Sequence, residues 1–158
     1  MPQPVPEGYS TLMPYLAVDD ASAAIDFYQR AFGAKELGRM AGPDGSIMHA
    51  ELEIGDSVLM LSDPFPQAST KTPKELGGTS VNIMTYVDDT DAAYKQAIDS
   101  GATSLMEPDD MFWGDRFSLV QDPFGHTWTI ATHIEDVSPE EMQKRSEEWA
   151  AQMAGAQA

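Results

Sequence analysis

An α+β fold built from two βαβββ modules is the architecture predicted by this 158-residue sequence, and three observations carry it. The first is a repeat. Leu16-Ala17-Val18-Asp19-Asp20-Ala21-Ser22-Ala23-Ala24 and Thr85-Tyr86-Val87-Asp88-Asp89-Thr90-Asp91-Ala92-Ala93 are one pattern written twice, 69 positions apart. Self-similarity at a fixed period marks a duplicated supersecondary unit. The second is that each copy runs into a helix-period stretch stopped by glycine, and then into three short strand-like runs separated by turn residues. The third is size: half of this chain would be marginal alone, so one domain of two fused modules is expected. Residues that recur in both copies are expected to be scaffold, and those that break the repeat are better candidates for chemistry.

A strand over Thr11–Val18 opens the first module. Asp20 then caps a helix whose Ala21, Ala24, Ile25, Tyr28 and Phe32 recur at helical spacing, and Gly33 stops it. Strands over Glu36–Met40, Ile47–Ile54 and Val58–Ser62 follow, divided by the turns Pro43-Asp44-Gly45 and Gly55-Asp56. The second module repeats this order. It has a strand over Val81–Val87, a helix over Thr90–Ser100 capped by Asp89 and ended by Gly101, and strands over Thr103–Met106, Phe117–Gln121 and Thr127–Thr132. The organisation is a tail at 1–8, a single domain at 9–137 made of modules 9–63 and 79–137 with a linker at 64–78, and a C-terminal helix and tail at 138–158. Ser138-Pro139-Glu140-Glu141 combines an N-cap, a proline at the first helical position and a capping-box glutamate. Met142, Trp149 and Met153 form a stripe down that helix which needs a partner surface, and Ala154–Ala158 is expected to fray.

The balance of 9 basic against 26 acidic residues gives a net charge of -17, which repels nucleic acid and anionic membranes. It favours neutral or cationic small ligands, or reflects adaptation to salt. No apolar run approaches the ~20 residues of a membrane span, and Met1-Pro2-Gln3-Pro4-Val5-Pro6 lacks the basic and apolar regions of a signal peptide, so a cytoplasmic protein is expected. The absence of cysteine removes disulfides and thiolate chemistry together. His49, His126, His133 and the carboxylates are left as strong candidate ligands.

Val-Asp-Asp before each helix, Phe27-Tyr28 and Phe32-Gly33-Ala34 at the first helix end, and Asp122-Pro123-Phe124-Gly125-His126 before the last strand resemble the vicinal oxygen chelate superfamily. This family includes glyoxalase I, extradiol dioxygenases, fosfomycin-resistance transferases and bleomycin-binding proteins. His49-Ala50-Glu51-Leu52, Gly55-Asp56-Ser57-Val58-Leu59-Met60-Leu61-Ser62-Asp63 and Phe112-Trp113-Gly114-Asp115-Arg116 are most similar to its PhnB-like branch. The resemblance implies curved mixed sheets around a cleft, a small organic molecule in the concavity, and a homodimer. It also implies metal ligands, usually His or Glu, on the first and last strand of each module. Counting along the repeat, those positions hold Met13, Leu59, Asn82 and Thr129, none of them a carboxylate or imidazole. A divalent ion without such ligands does not recover the cost of shedding water. No cofactor is therefore expected, the alternative being a divalent metal in a rearranged site that uses His49 and nearby carboxylates.

His49 alternates with Ile47, Glu51 and Glu53 on one strand face and has two readings, a solvated position or a catalytic base in the pocket. His126 reads as a turn residue, and His133 as a capping or exposed one. The Asp19-Asp20 and Asp88-Asp89 doublets recur before both helices and read as caps. The repeat offset grows from 68 at Leu37 and Leu105 to 70 at Gly55 and Gly125, which places two extra residues near Pro108–Trp113. That loop either closes a hydrophobic edge, with Asp115 and Arg116 paired, or faces the ligand, with Trp113 stacking on it and Arg116 clamping an oxyanion. Strand alternation sets Tyr15 with Met13, and Met84 and Tyr86 with Asn82, so the expected ligand-binding set is Tyr15, Asn82, Met84, Tyr86, Trp113, Asp115, Arg116 and Thr129. The expected function is binding of a small organic ligand, neutral or cationic. The alternatives are a metal-dependent enzyme of glyoxalase or dioxygenase type and a metal-free acid–base enzyme using His49.

Overall fold

The computed structural model describes residues 3–67 and 69–155. Its elements are β1 (Tyr15–Ala17), α1 (Ala21–Phe32), β2 (Lys35–Ala41), β3 (Ile47–Ile54), β4 (Ser57–Ser62), α2 (Pro73–Leu76), β5 (Asn82–Tyr86), α3 (Thr90–Ser100), β6 (Thr103–Asp110), β7 (Asp115–Gln121), β8 (Thr127–His133) and α4 (Pro139–Gly155). The first sheet has the order β1-β4-β3-β2 and the second β5-β8-β7-β6, so the duplicated sequence is a duplicated topology. In each sheet the first strand runs parallel to the last and the other neighbours are antiparallel.

The repeated aspartates do what their position dictates. Asp20 accepts from the Ala23 amide and Asp89 from the Ala92 amide, satisfying N–H groups that have no partner inside the helix. Gly33 ends α1 at φ 64°, in the left-handed region where a side chain would be strained.

β1 is shorter than the predicted strand, and Pro14 explains why. The Met60 amide donates to the Pro14 carbonyl at 3.0 Å, but proline has no N–H with which to continue the ladder. β6 is longer than predicted and absorbs irregularities between Ser104 and Met106 and between Met106 and Asp109. The linker contains a helical turn, α2, with Thr72 and Glu75 forming a capping box around Pro73. It docks against Gly125, where a Cβ would lie 2.7 Å from that of Pro73. α4 begins as predicted, with Ser138 Oγ accepting from the Glu141 amide, yet none of its described residues is buried. The Trp149 ring meets that of Phe112, at 5.7 Å, and Arg145 ties the helix to Glu135 and to the Phe112 carbonyl. Ala156–Ala158 of the expected frayed end lie outside the described residues.

The core fills the space between α1, α3 and the sheet faces that look toward them, with Ile25, Tyr28, Leu52, Leu61, Val120, Trp128 and Ile130 essentially inaccessible. At its centre Asp122, 4% exposed, accepts four hydrogen bonds. Tyr28 Oη of α1 and Trp128 Nε1 of β8 donate to Oδ2 at 2.7 and 2.9 Å, while the Phe124 and His126 amides donate to Oδ1 at 2.9 Å each. Phe32 stacks on Trp128 with ring centroids 4.4 Å apart. The modules are thus joined through one buried carboxylate and an aromatic cluster.

Asp122→Ala strands two buried side-chain donors and two amides, and should cost about 3–5 kcal/mol in urea unfolding. Tyr28→Phe removes one donor to a charged acceptor and should cost about 1.5–3 kcal/mol, with the m-value unchanged.

Candidate functional site

Strand alternation gives each sheet a helix-facing side and an open side. On the open side the first sheet presents Tyr15, His49, Glu51 and Met60, and the second presents Asn82, Met84, Tyr86, Asp115, Phe117 and Thr129. Tyr15, Met84 and Tyr86 remain 44%, 46% and 60% exposed, so these faces are not closed by the chain itself.

The first open face carries a hydrogen-bonded chain of four side chains. Tyr9 Oη donates to Glu51 Oε2, His49 Nε2 lies 2.9 Å from Glu51 Oε1, and Tyr15 Oη lies 2.9 Å from His49 Nδ1. The His49 imidazole, followed by the Tyr9 phenol, holds the Glu51 carboxyl below the usual carboxylate range.

The second open face centres on Asp115, which is nearly inaccessible. Tyr86 Oη and Trp113 Nε1 donate to its Oδ2 at 3.0 and 3.1 Å, and His133 Nδ1 sits 3.0 Å from its Oδ1. His133 Nε2 meets Asp136 Oδ1 at 2.9 Å. Asn82 Nδ2 donates to Thr129 Oγ1 at 2.6 Å, so those two expected ligand-binders satisfy each other.

Arg116 is not where a clamp is needed. It pairs with Thr132 on the helix-facing side, where its guanidinium binds Asp91 in the first turn of α3 and Asp110. The strand register also revises the equivalence of Leu59 with Thr129. Tyr15 pairs with Met60 and Met84 with Thr129, so Met60 is the mate of Thr129 at the same offset of 69 that relates Tyr15 to Met84, and Leu59 packs into the core. The added residue lies in the Asp122–His126 turn between β7 and β8, and the stretch from Leu105 to Phe117 gains none over its counterpart from Leu37 to His49. The positions at which the resemblance implies metal ligands thus hold Met13, Met60, Asn82 and Thr129. Two thioethers, an amide and a hydroxyl do not fit a divalent ion that wants imidazole, carboxylate or thiolate donors. Among the described residues, no three His, Asp or Glu side chains converge in a metal-holding arrangement.

A cavity of about 880 Å³ opens where the modules meet, between the free edge of β5 and the start of β4. Phe32, Leu59, Ile83, Met84, Tyr86 and Trp128 line it together with Asp56 and Asp88. Of the expected site residues it collects Met84 and Tyr86; Tyr15 and His49 share the first open face, and Asn82, Trp113, Asp115 and Thr129 stand on the second. His126, expected in a turn, is there and bonds the Ala17 carbonyl at 3.0 Å. Tyr9 and Asp136 are the participants that the sequence reading does not name; strand alternation sets Glu51 beside His49 on one strand face, and His133 reads as a capping or exposed residue. Glu51 was recognisable from its i+2 spacing to His49, whereas nothing local marks Tyr9.

A family model described as the Glyoxalase/Bleomycin resistance protein/Dioxygenase superfamily matches residues 10–130. An uncharacterized protein of Mycobacterium tuberculosis is 47% identical over 135 residues, spanning 84% of this chain and 79% of that one. Among solved structures, TioX from Micromonospora sp. ML1 is 30% identical with a TM-score of 0.64, covering 79% of this chain and 99% of its own. A glyoxalase/bleomycin resistance protein/dioxygenase from Nocardioides is 21% identical with a TM-score of 0.61 over 82% of this chain and 87% of its own, a likeness of fold alone.

Asp136 first and Asp115 second push the His133 imidazole up from its ordinary value. A group raised in the folded state stabilises fully below the unfolded pKa of about 6.5, and loses that contribution as pH rises through the folded value. Stability should therefore fall on the alkaline side of about 6.5, and His133→Gln should flatten that fall. In an NMR titration, Asp136→Asn should lower the His133 midpoint more than Asp115→Asn.

Proposed function

Because the chain belongs to the glyoxalase/bleomycin resistance protein/dioxygenase superfamily, we propose that it is a PhnB-like, cytoplasmic small-molecule binding protein. It takes an organic cation, without a metal, in the concavity where its modules meet, and it works as a homodimer. The inter-module cavity carries this reading. Its volume of about 880 Å³ suits a small organic molecule, since ligand pockets run from about 300 to 1,000 Å³. Aromatic rings and thioether supply apolar and cation-attracting surface, and Asp56 and Asp88 are its charged lining groups, with no basic side chain beside them among the described residues. The net charge of -17 draws cations toward it.

The donor set at the family's metal positions supports metal independence. The half-exposed Met84 and Tyr86 support a second copy as the cover of the second sheet's open face, because an isologous contact would bury that face on both copies at once. The lack of cysteine is consistent with a cytoplasmic setting, and no helix among the described residues is long and apolar enough to cross a membrane.

Ethidium, a flat aromatic cation, should quench tryptophan fluorescence on binding and do so equally in EDTA. Asp56→Asn with Asp88→Asn should weaken it about tenfold, roughly 1.4 kcal/mol, while the anionic dye anilinonaphthalene sulfonate gains. Binding abolished by EDTA, or indifferent to the two aspartates, would refute the reading. Sedimentation equilibrium should return twice the 17.2 kDa chain mass, and a single-chain mass would remove the dimer.

A further inference from the structure

Three phenols stand over the open faces, and they are held differently. Tyr9 donates to Glu51 and Tyr86 to Asp115, carboxylates that push both phenols above their ordinary range and cannot usefully take the proton. Tyr15 instead meets an imidazole nitrogen, His49 Nδ1, at 2.9 Å. The tautomer follows from the rest of the chain. Glu51 stays ionised and only accepts, so the proton of the neutral ring sits on Nε2 and points at it, leaving the Nδ1 lone pair facing the phenol.

Both ring nitrogens of His49 are therefore engaged, and the group left to meet a molecule on this face is the half-exposed Tyr15. We propose that Tyr15 is the proton-transferring group of a metal-free acid–base site on the first sheet, with His49 holding the proton and Glu51 fixing the ring. The Tyr15 Oη–H bond breaks and its proton passes to His49 Nδ1. The imidazolium so formed lies against the Glu51 carboxylate, and the phenolate takes one proton from the ligand. Returning that proton to a different ligand atom completes an isomerisation, with no electrons gained or lost. His49 and Glu51 are positioning residues, since they act through Tyr15. None of the first open face's network residues lines the inter-module cavity, so this goes beyond the binding reading and does not depend on it.

The test needs no natural substrate. The probe is 4-(2-aminoethyl)benzenesulfonyl fluoride: the phenolate oxygen bonds to sulfur, fluoride leaves, and the phenolic proton goes to Nδ1. Peptide mass spectrometry should find Tyr15 modified at least tenfold faster than Tyr9 or Tyr86. His49→Ala should slow Tyr15 at least tenfold without changing Tyr86, and added imidazole should restore part of the rate, which a purely structural role would not permit. Glu51→Gln should give a smaller loss. If Tyr15 reacts no faster than Tyr86, if His49→Ala leaves its rate intact, or if imidazole restores nothing, the proposal is overturned. Should His49→Ala fail to fold, nitrogen-15 spectra of the unaltered protein decide: an Nε2–H tautomer is expected, and Nδ1–H overturns it. Ethidium titration of the same samples reports the cavity separately, so the two readings fail independently.

Discussion

A buried carboxylate must be surrounded by donors or it unfolds the protein around it, and Asp122 meets that demand by drawing on both modules. Its partners are a phenol from α1, an indole from β8 and two amides of its own turn. Burial and then the adjacent Asp122 charge push the Tyr28 phenol far above its ordinary range, which keeps it a donor. The Tyr28–Asp122 bond and the Phe32–Trp128 stack together tie α1 of the first module to the β7–β8 end of the second sheet. The inter-module cavity begins where that stack ends.

The architecture was legible because duplication repeats every signal. The aspartate caps, the helical apolar spacing and the glycine stops appear twice, and each copy corroborates the other. What failed was counting across a turn. Gly55 and Gly125 look equivalent, but the Asp122–His126 turn is longer than Gly55-Asp56, so the glycines are out of step and counting from them selects Leu59 in place of Met60. Register is a property of paired strands, and a single-residue slip exchanges the two faces of a sheet. The face that Arg116 occupies is likewise set by its pairing with Thr132. The α2 turn was within reach, because Thr72-Pro73-Lys74-Glu75 carries the same capping signature that identified α4.

The polar networks were only partly legible. His49 and Glu51 share a strand face and are visible to alternation. Tyr9 arrives from 42 residues away, and His133 reaches Asp115 across the β7–β8 pair, distances over which sequence spacing says nothing. Both networks occupy positions the repeat does not share: Phe117 stands where the first module has His49, and Ile47 where the second has Asp115. Duplication built the frame, and divergence between the copies supplied the polar groups.

The Tyr28–Asp122 bond spans 94 residues of chain. During synthesis α1 is complete long before its acceptor leaves the ribosome, and until then Tyr28 and Phe32 lack Asp122 and Trp128. At about 5–20 residues per second that interval lasts on the order of 5–20 seconds, long enough for a nascent chain to meet a neighbour or a chaperone. Such long-range closure also slows folding after release, since the entropy of a large loop is spent before any contact repays it. The same bond that unites the finished molecule thus makes its first half the vulnerable one while it is being made.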